Sequence, residues 1–280
     1  VSVPVKLLTL IIGTLLLVSI GFSMISLSRL NQEYKHFQSD TLKKGQAQFE
    51  IHSDILRTQL RIWLESYADI VQLKDQKDFT VLAKGLAEQF DGLQLNYNVQ
   101  NMWLFDNFDS VNNQQTLFKS TDVPEYVKDS VETVFRIQQP TFGLHCQPFC
   151  EQLVAVPLLN HQGQLAVVAI TASLVDVIYS INKTLQSDVA MISLSAEKET
   201  KISSAKFLSS SDMALVKALF IESHVKDTVN SIKKNGLQVD LVNKSYFVNL
   251  MPLAYTGGEE FYLVLIDDVS PFKAKSDRYR

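Results

Sequence analysis

Between Lys6 and Arg29 the chain carries no charged residue. The run from Leu7 to Leu27 is long and apolar enough to cross a bilayer core as a helix, which takes about 20 residues. It exceeds the ~7–15-residue apolar core of a cleaved signal peptide, and no small-x-small cleavage site follows it. Buried globular helices seldom lack charge for so long. Residues 1–28 are therefore expected to form an uncleaved membrane anchor, and everything after them is tethered. Lys6 precedes the run, while Arg29, Lys35, Lys43 and Lys44 follow it, so charge bias leaves the orientation open.

The chain begins with Val1 and stops at Ser-Asp-Arg-Tyr-Arg with no terminal element, which leaves open a fragment that lacks an output module or an unusual start. After the anchor about 250 residues remain, enough for one large domain or two small ones. The net charge of −4 is mild, and no basic stripe points to nucleic acid.

From Ser28 to Leu73 there is no proline and only one glycine, Gly45. Leu42, Phe49, Leu56, Trp63 and Ile70 recur seven apart and keep to one helix face, widened by Ile55, Leu60 and Tyr67. A helix of that length spans roughly 70 Å. Its second half is expected to pack on its own domain. Its more polar first half reads as a stalk that pairs with a second copy, a homodimer through the long helix, although the heptads are too impure for a coiled coil.

Further along, residues 81–90 read as a short helix and residues 98–106 and 115–120 as strands. Residues 123–139 read as a helix with Asp122 as N-cap. Three strands follow at 141–145, 152–160 and 164–172, the last two joined by the tight-turn signal Asn160-His-Gln-Gly. Pro157 marks an edge position or a bulge. Residues 174–186 form a linking helix, after which the order recurs more weakly. There is a strand at 188–195, a helix at 210–225 with a serine-rich cap, and three strands within 237–268, the last pair joined by Thr256-Gly-Gly-Glu. Strands joined by short loops pair antiparallel. The fold class is α+β: two units, each an antiparallel sheet flanked by helices, hung on one long helix. The boundaries are 1–28 anchor, 29–75 stalk, 76–174 membrane-distal unit, 175–270 membrane-proximal unit, and 271–280 linker toward a second span.

This order, with a last strand ending Ile266-Asp-Asp-Val-Ser-Pro-Phe, resembles the extracytoplasmic double Cache (PAS-like) sensor domains of bacterial signalling receptors. Gly143-Leu-His-Cys-Gln-Pro-Phe-Cys-Glu-Gln-Leu-Val-Ala-Val-Pro-Leu-Leu159 is similar to one branch of that group, in which two cysteines precede a strand containing Val-Pro. The arginine-tryptophan-tyrosine cluster of the amino-acid-binding branch is absent, since Arg61-Ile-Trp63 lies in the long helix without the rest. The resemblance implies a non-catalytic input domain in the periplasm, held at the inner membrane, that binds a small molecule in the distal unit and shifts the long helix. It implies a histidine kinase, cyclic-di-GMP or chemotaxis output beyond this chain, in the manner of two-component signalling. Ligand identity does not carry over.

In that oxidising compartment Cys146 and Cys150 are expected to form a disulfide around a very small ring, contributing only about 2 kcal/mol and fixing a local path. A reversible redox-sensing bond stays open. Zinc needs three or four ligands, and His145, Cys146, Cys150 and His161 form no metal-binding spacing. No metal and no cofactor is expected. No G-x-S-x-G, H-E-x-x-H, P-loop or Rossmann glycine pattern is present. A pocket in a sheet unit is lined by aromatics with a few converging polar groups. The candidates are Trp103, Phe105 and Asp106 on the first distal strand, Tyr126 and Arg136 on its helix, and His145 and Gln152 beside the cysteines. Two further readings are a membrane-anchored scaffold that binds another protein through its sheets, and an anchored hydrolase.

Overall fold

The computed structural model describes residues 3–108, 111, 116–146, 149–195, 205–222, 229–241, 244–256 and 259–278. Helix α1 (Val3–Ile70) is continuous over 68 residues, roughly 100 Å at 1.5 Å per residue. Among the described residues no helix is long and apolar enough to cross a membrane. The expected anchor falls partly outside them, because Val1, Ser2 and the side chains of residues 3–10 are not described. After α1 come a short 3-10 turn, Leu73–Asp75, and α2 (Thr80–Tyr97).

The first sheet contains β1 (Val99–Phe105), β2 (Phe118–Lys119), β3 (Thr141–Cys146), β4 (Cys150–Leu159) and β5 (Leu165–Ser173). Helix α3 (Glu125–Ile137) lies between β2 and β3 in sequence. After α4 (Val175–Leu185), the second sheet contains β6 (Asp188–Ser195), β7 (Lys206–Ser210), β8 (Leu237–Leu241), β9 (Lys244–Thr256) and β10 (Glu259–Asp268). Helices α5 (Met213–Lys217), continued by a π turn over Ala218–Glu222, and α6 (Val229–Asn235) precede β8; α7 (Ser270–Arg278) follows β10. The strand orders are β2-β1-β5-β4-β3 and β7-β6-β10-β9-β8, the same path traced twice. Every pairing is antiparallel.

Alternation along each strand divides its side chains between two faces. In the first sheet Met102, Leu104, Val154, Val156, Val168 and Ile170 join one core with α1, α2 and α4. The same core takes in Met191, Met251, Leu263 and Leu265 from the second sheet, so it runs unbroken through both units. The opposite face of the first sheet, Trp103, Phe105, Leu153, Ala155, Val167 and Ala169, is covered by Val127, Val131 and Val134 of α3. The corresponding face of the second sheet is covered by α5, the π turn and α6 through Val216, Phe220 and Ile232.

The face of α1 that turns inward is Thr41, Gly45, Phe49, Ser53, Leu56, Leu60, Leu64 and Ala68, spaced by four with a single step of three. Of the seven-residue stripe, Phe49 and Leu56 are buried, and Leu42 and Trp63 are partly buried against the same core. Ile70 is 74% exposed and Ile55 is exposed too. A straight helix drifts about 20° per heptad, so a stripe aligned at Leu56 has rotated out by Ile70. Gly45 lies close against the second sheet, where a Cβ would overlap the Leu265 side chain.

Several local expectations are corrected. Pro124, not Asp122, caps α3, and Asp122 accepts from Lys119 Nζ at 3.1 Å. Helix α2 runs seven residues beyond Phe90, through Gly92, until Asn98 turns left-handed at φ 51. The strand expected at 115–120 is only Phe118–Lys119, and residues 112–115 lie outside the described ones. The cap before α5 is Asp212, whose carboxylate accepts from Leu215 N at 3.0 Å; the end of that expected helix, 223–228, also lies outside. Strand β7 and helices α6 and α7 were not legible as elements. Pro157 sits in an interior strand opposite Val167 of β5, but β3 pairs only as far as Thr141 with Ala155. The missing N–H therefore falls where the strand has a free edge.

Candidate functional site

Strands β1, β5, β4 and β3 bring a polar group to the end of the α3-side face nearest the second unit. The parity that points Trp103 and Phe105 toward α3 also points Asn101 there. On the neighbouring strands it selects Thr171, Glu151 and His145. His145 lies directly opposite Glu151, and Asn101 opposite Thr171. Asn101 Nδ2 donates to Thr171 Oγ1 at 3.3 Å, and the Thr121 hydroxyl donates to Asn101 Oδ1 at 3.0 Å. From the first turn of α3, the ring of Tyr126 stacks on His145 with centroids 3.5 Å apart and planes 9° from parallel.

Burial sets the electrostatics. The phenol of Tyr126 is pushed up to about 12, by desolvation first and by the Glu151 carboxylate second. Desolvation raises the carboxyl of Glu151, partly opposed by the Thr171 hydroxyl, and lowers the imidazole of His145. Among the described residues no cation pairs with Glu151. The group therefore offers a phenol, an imidazole that favours its neutral form, a half-buried carboxylate and an amide, all on a floor otherwise apolar. This composition suits binding of a small molecule.

Cys146 and Cys150 form a disulfide with Cα atoms 3.8 Å apart, directly across the β3–β4 pair. Both are buried on the opposite, α1-side face. They sit one residue from His145 and Glu151 and hold the hairpin end on which those two stand.

The remaining candidates are dispersed. Trp103 and Phe105 are fully buried under α3, and Trp103 Nε1 donates to Thr121 O at 2.9 Å. Asp106 lies at the far end of β1 and lines an open cleft of about 490 Å³ with Asp78, Phe108 and Phe135. Arg136 is exposed in the last turn of α3, where a cation suits the helix dipole. Gln152 is buried on the α1 side; its Nε2 donates to Gly143 O at 2.6 Å and Leu153 O at 3.1 Å, while Oε1 is unpaired. Glu151, Thr171 and Asn101 were missed. Strand parity separates Glu151 from Gln152, but only the pairing reveals that Glu151 faces His145. Among the described residues no three His, Cys, Asp or Glu side chains converge to hold a metal ion.

Residues 31–272 match the family model described as the double sensory domain of two-component sensor kinases. The chain belongs to that double Cache sensor family. No curated protein matches the sequence significantly. Among solved structures, the chain is similar to the ligand-binding domain of the Campylobacter jejuni chemoreceptor Tlp3 in complex with L-valine. Identity is 13% and the TM-score 0.48, covering 88% of this chain and 97% of that one. The same receptor's sensory domain with isoleucine bound is 12% identical with a TM-score of 0.48, at 88% and 97% coverage. The ligand-binding domain of the Pseudomonas aeruginosa PAO1 amino acid chemoreceptor PctC in complex with GABA is 17% identical, with a TM-score of 0.35 and coverage of 78% and 96%. A likeness this distant does not extend to the ligand.

Proposed function

We propose that the chain is the periplasmic, small-molecule-sensing input domain of a bacterial inner-membrane receptor, signalling through α1. The observation that carries this reading is the convergence of Tyr126, His145, Glu151 and Thr171 on one end of a sheet face whose remainder is apolar. Tyr126 and His145 form one wall of the ligand site, and Trp103 and Phe105 support its floor. Asp106 and Arg136 stand at the far end of the same unit. Gln152 braces the β3–β4 hairpin from behind.

The anchor is residues 1–28, and Leu15, Leu16, Leu17, Phe22 and Met24 within it are exposed. Ile51, Ile55 and Ile62 are exposed on the face of α1 opposite its core stripe, which supports pairing with a second copy. The units divide at 76–174 and 175–270, and 271–280 leads to a second span and a kinase or cyclic-di-GMP output. Ligand must favour one of two arrangements of α1, because equal affinity for both shifts nothing.

The test is a thermal-shift screen of the intact chain against amino acids, organic acids, amines and sugars. A ligand selective for the folded state raises the melting temperature by mass action, by about 2.7 kcal/mol of stability at one hundred times Kd. The expected result is at least one hit that Tyr126→Ala abolishes. A well-folded chain that responds to no compound in the panel overturns the sensing reading.

A further inference from the structure

Where the two units meet, a second hollow of about 260 Å³ opens. Its first wall belongs to the distal sheet, at Phe149, Cys150 and Glu151; its second to α4, at Val175 and Ile178; its third to the proximal sheet, at Met191 and Leu208. The walls are mainly apolar. Its volume is below the ~300–1,000 Å³ of sites for drug-sized molecules. Glu151, at the rim where the sheet ends, is the one acidic or basic residue among those that line it. That carboxylate is half-buried and has no cationic partner among the described residues. The positive end of α4 opens nearby, but Asp176 in the first turn complements it. A half-buried carboxylate without a counter-ion is costly, and a cation within contact distance relieves that cost.

We infer that this hollow is a ligand site for a small organic monocation, its charge at Glu151 and its apolar body between Phe149, Val175, Ile178, Met191 and Leu208. The inference rests on the sensing reading and extends it by naming the ligand's chemistry and a second wall in the other unit. Through Glu151 the hollow adjoins the Tyr126–His145 stack. A bound cation therefore touches the distal sheet, α4 and the proximal sheet together, and it favours whichever arrangement of the joint closes around it.

The probes are phenethylamine, its neutral isostere 2-phenylethanol and the anion 3-phenylpropanoate, titrated calorimetrically into the intact chain in lipid nanodiscs against an empty-disc blank. The ammonium ion is expected to bind at least tenfold more tightly than the alcohol, and the anion not at all. Glu151→Gln is expected to erase the preference for the cation. Val175→Trp places bulk at the mouth from a position already 50% exposed, so the fold tolerates it; binding is expected to fall at least tenfold with the melting curve unchanged. Leu208→Trp repeats the test from the proximal wall.

Failure of the ammonium ion to bind, or equal binding of ammonium ion and alcohol, overturns the inference. So does cation binding that neither tryptophan weakens. In each of these cases a panel hit sensitive to Tyr126→Ala leaves the sensing reading intact.

Discussion

Single positions in this chain are governed by how closely backbones approach. Gly236 follows α6 at φ 65, and a Cβ there would overlap the ring of Phe247. Gly236→Ala meets both the left-handed penalty, about 1–2 kcal/mol, and the clash; chemical denaturation is expected to show a loss of at least that size. Gly45 was legible in the sequence as the lone glycine of a long helix, but its purpose was not. The contact that requires it lies on Leu265, distant in the chain. The candidate site shows the same limit. Tyr126 and His145 were recognisable as an aromatic and an imidazole beside the cysteines, yet their stacking depends on the angle at which α3 crosses β3. Residue type and parity do not encode that angle.

At the scale of elements, the long helix was readable, and its phase was readable near Leu56 but not at Ile70. Absence of proline and repeated apolar residues suffice to predict a helix. Which face turns inward depends on a core supplied by two sheets and α4, and that core follows steps of four and three. Leu60, fully buried, is therefore expected to cost about 2–5 kcal/mol when cut to alanine. Ile70→Ala, although on the heptad stripe, is expected to change stability by no more than about 0.5 kcal/mol; paired urea melts check the contrast. The β3–β4 hairpin carries a second prediction. Cys146 is fully buried and Cys150 is 3% exposed, so reductant reaches the bond only when the hairpin opens. Thiol labelling after addition of reductant is expected to track unfolding in denaturant. Rapid labelling of the native chain would instead favour a redox-sensing bond.

For the whole molecule, the antiparallel two-unit plan was legible from the order of elements, because short connections restrict which strands pair. The identity of the two strand orders was not, since no sequence repeat accompanies it. The end of the second sheet holds a carboxyl that tunes global stability. Asp267 is buried, accepts from the Ser187 hydroxyl at 2.5 Å through Oδ1 and leaves Oδ2 unpaired. Desolvation raises its pKa above the ordinary 3.8, against a smaller opposing effect of Ser187. The folded state thus holds this proton more tightly than the unfolded chain. The stability it contributes is complete below the unfolded value and is lost as pH rises through the raised folded value. Asp267→Asn is expected to raise the melting temperature at neutral pH and to change it little near pH 4. Equal effects at both pH values would contradict this assignment.

The ring of Phe37 lies 5.1 Å from that of Phe272, and Gly45 seats against Leu265. The early part of α1 is thus covered by residues far later in the chain, in β10 and α7. Chains emerge at about 5–20 residues per second, so the inward stripe of α1 waits on the order of ten seconds or more for its final partners. During that interval the part of the face around Gly45 lacks Leu265. Strand β4 and helix α4, made earlier, seat most of that stripe, so truncation before β10 leaves the Gly45 end of α1 without its partner while the rest stays covered.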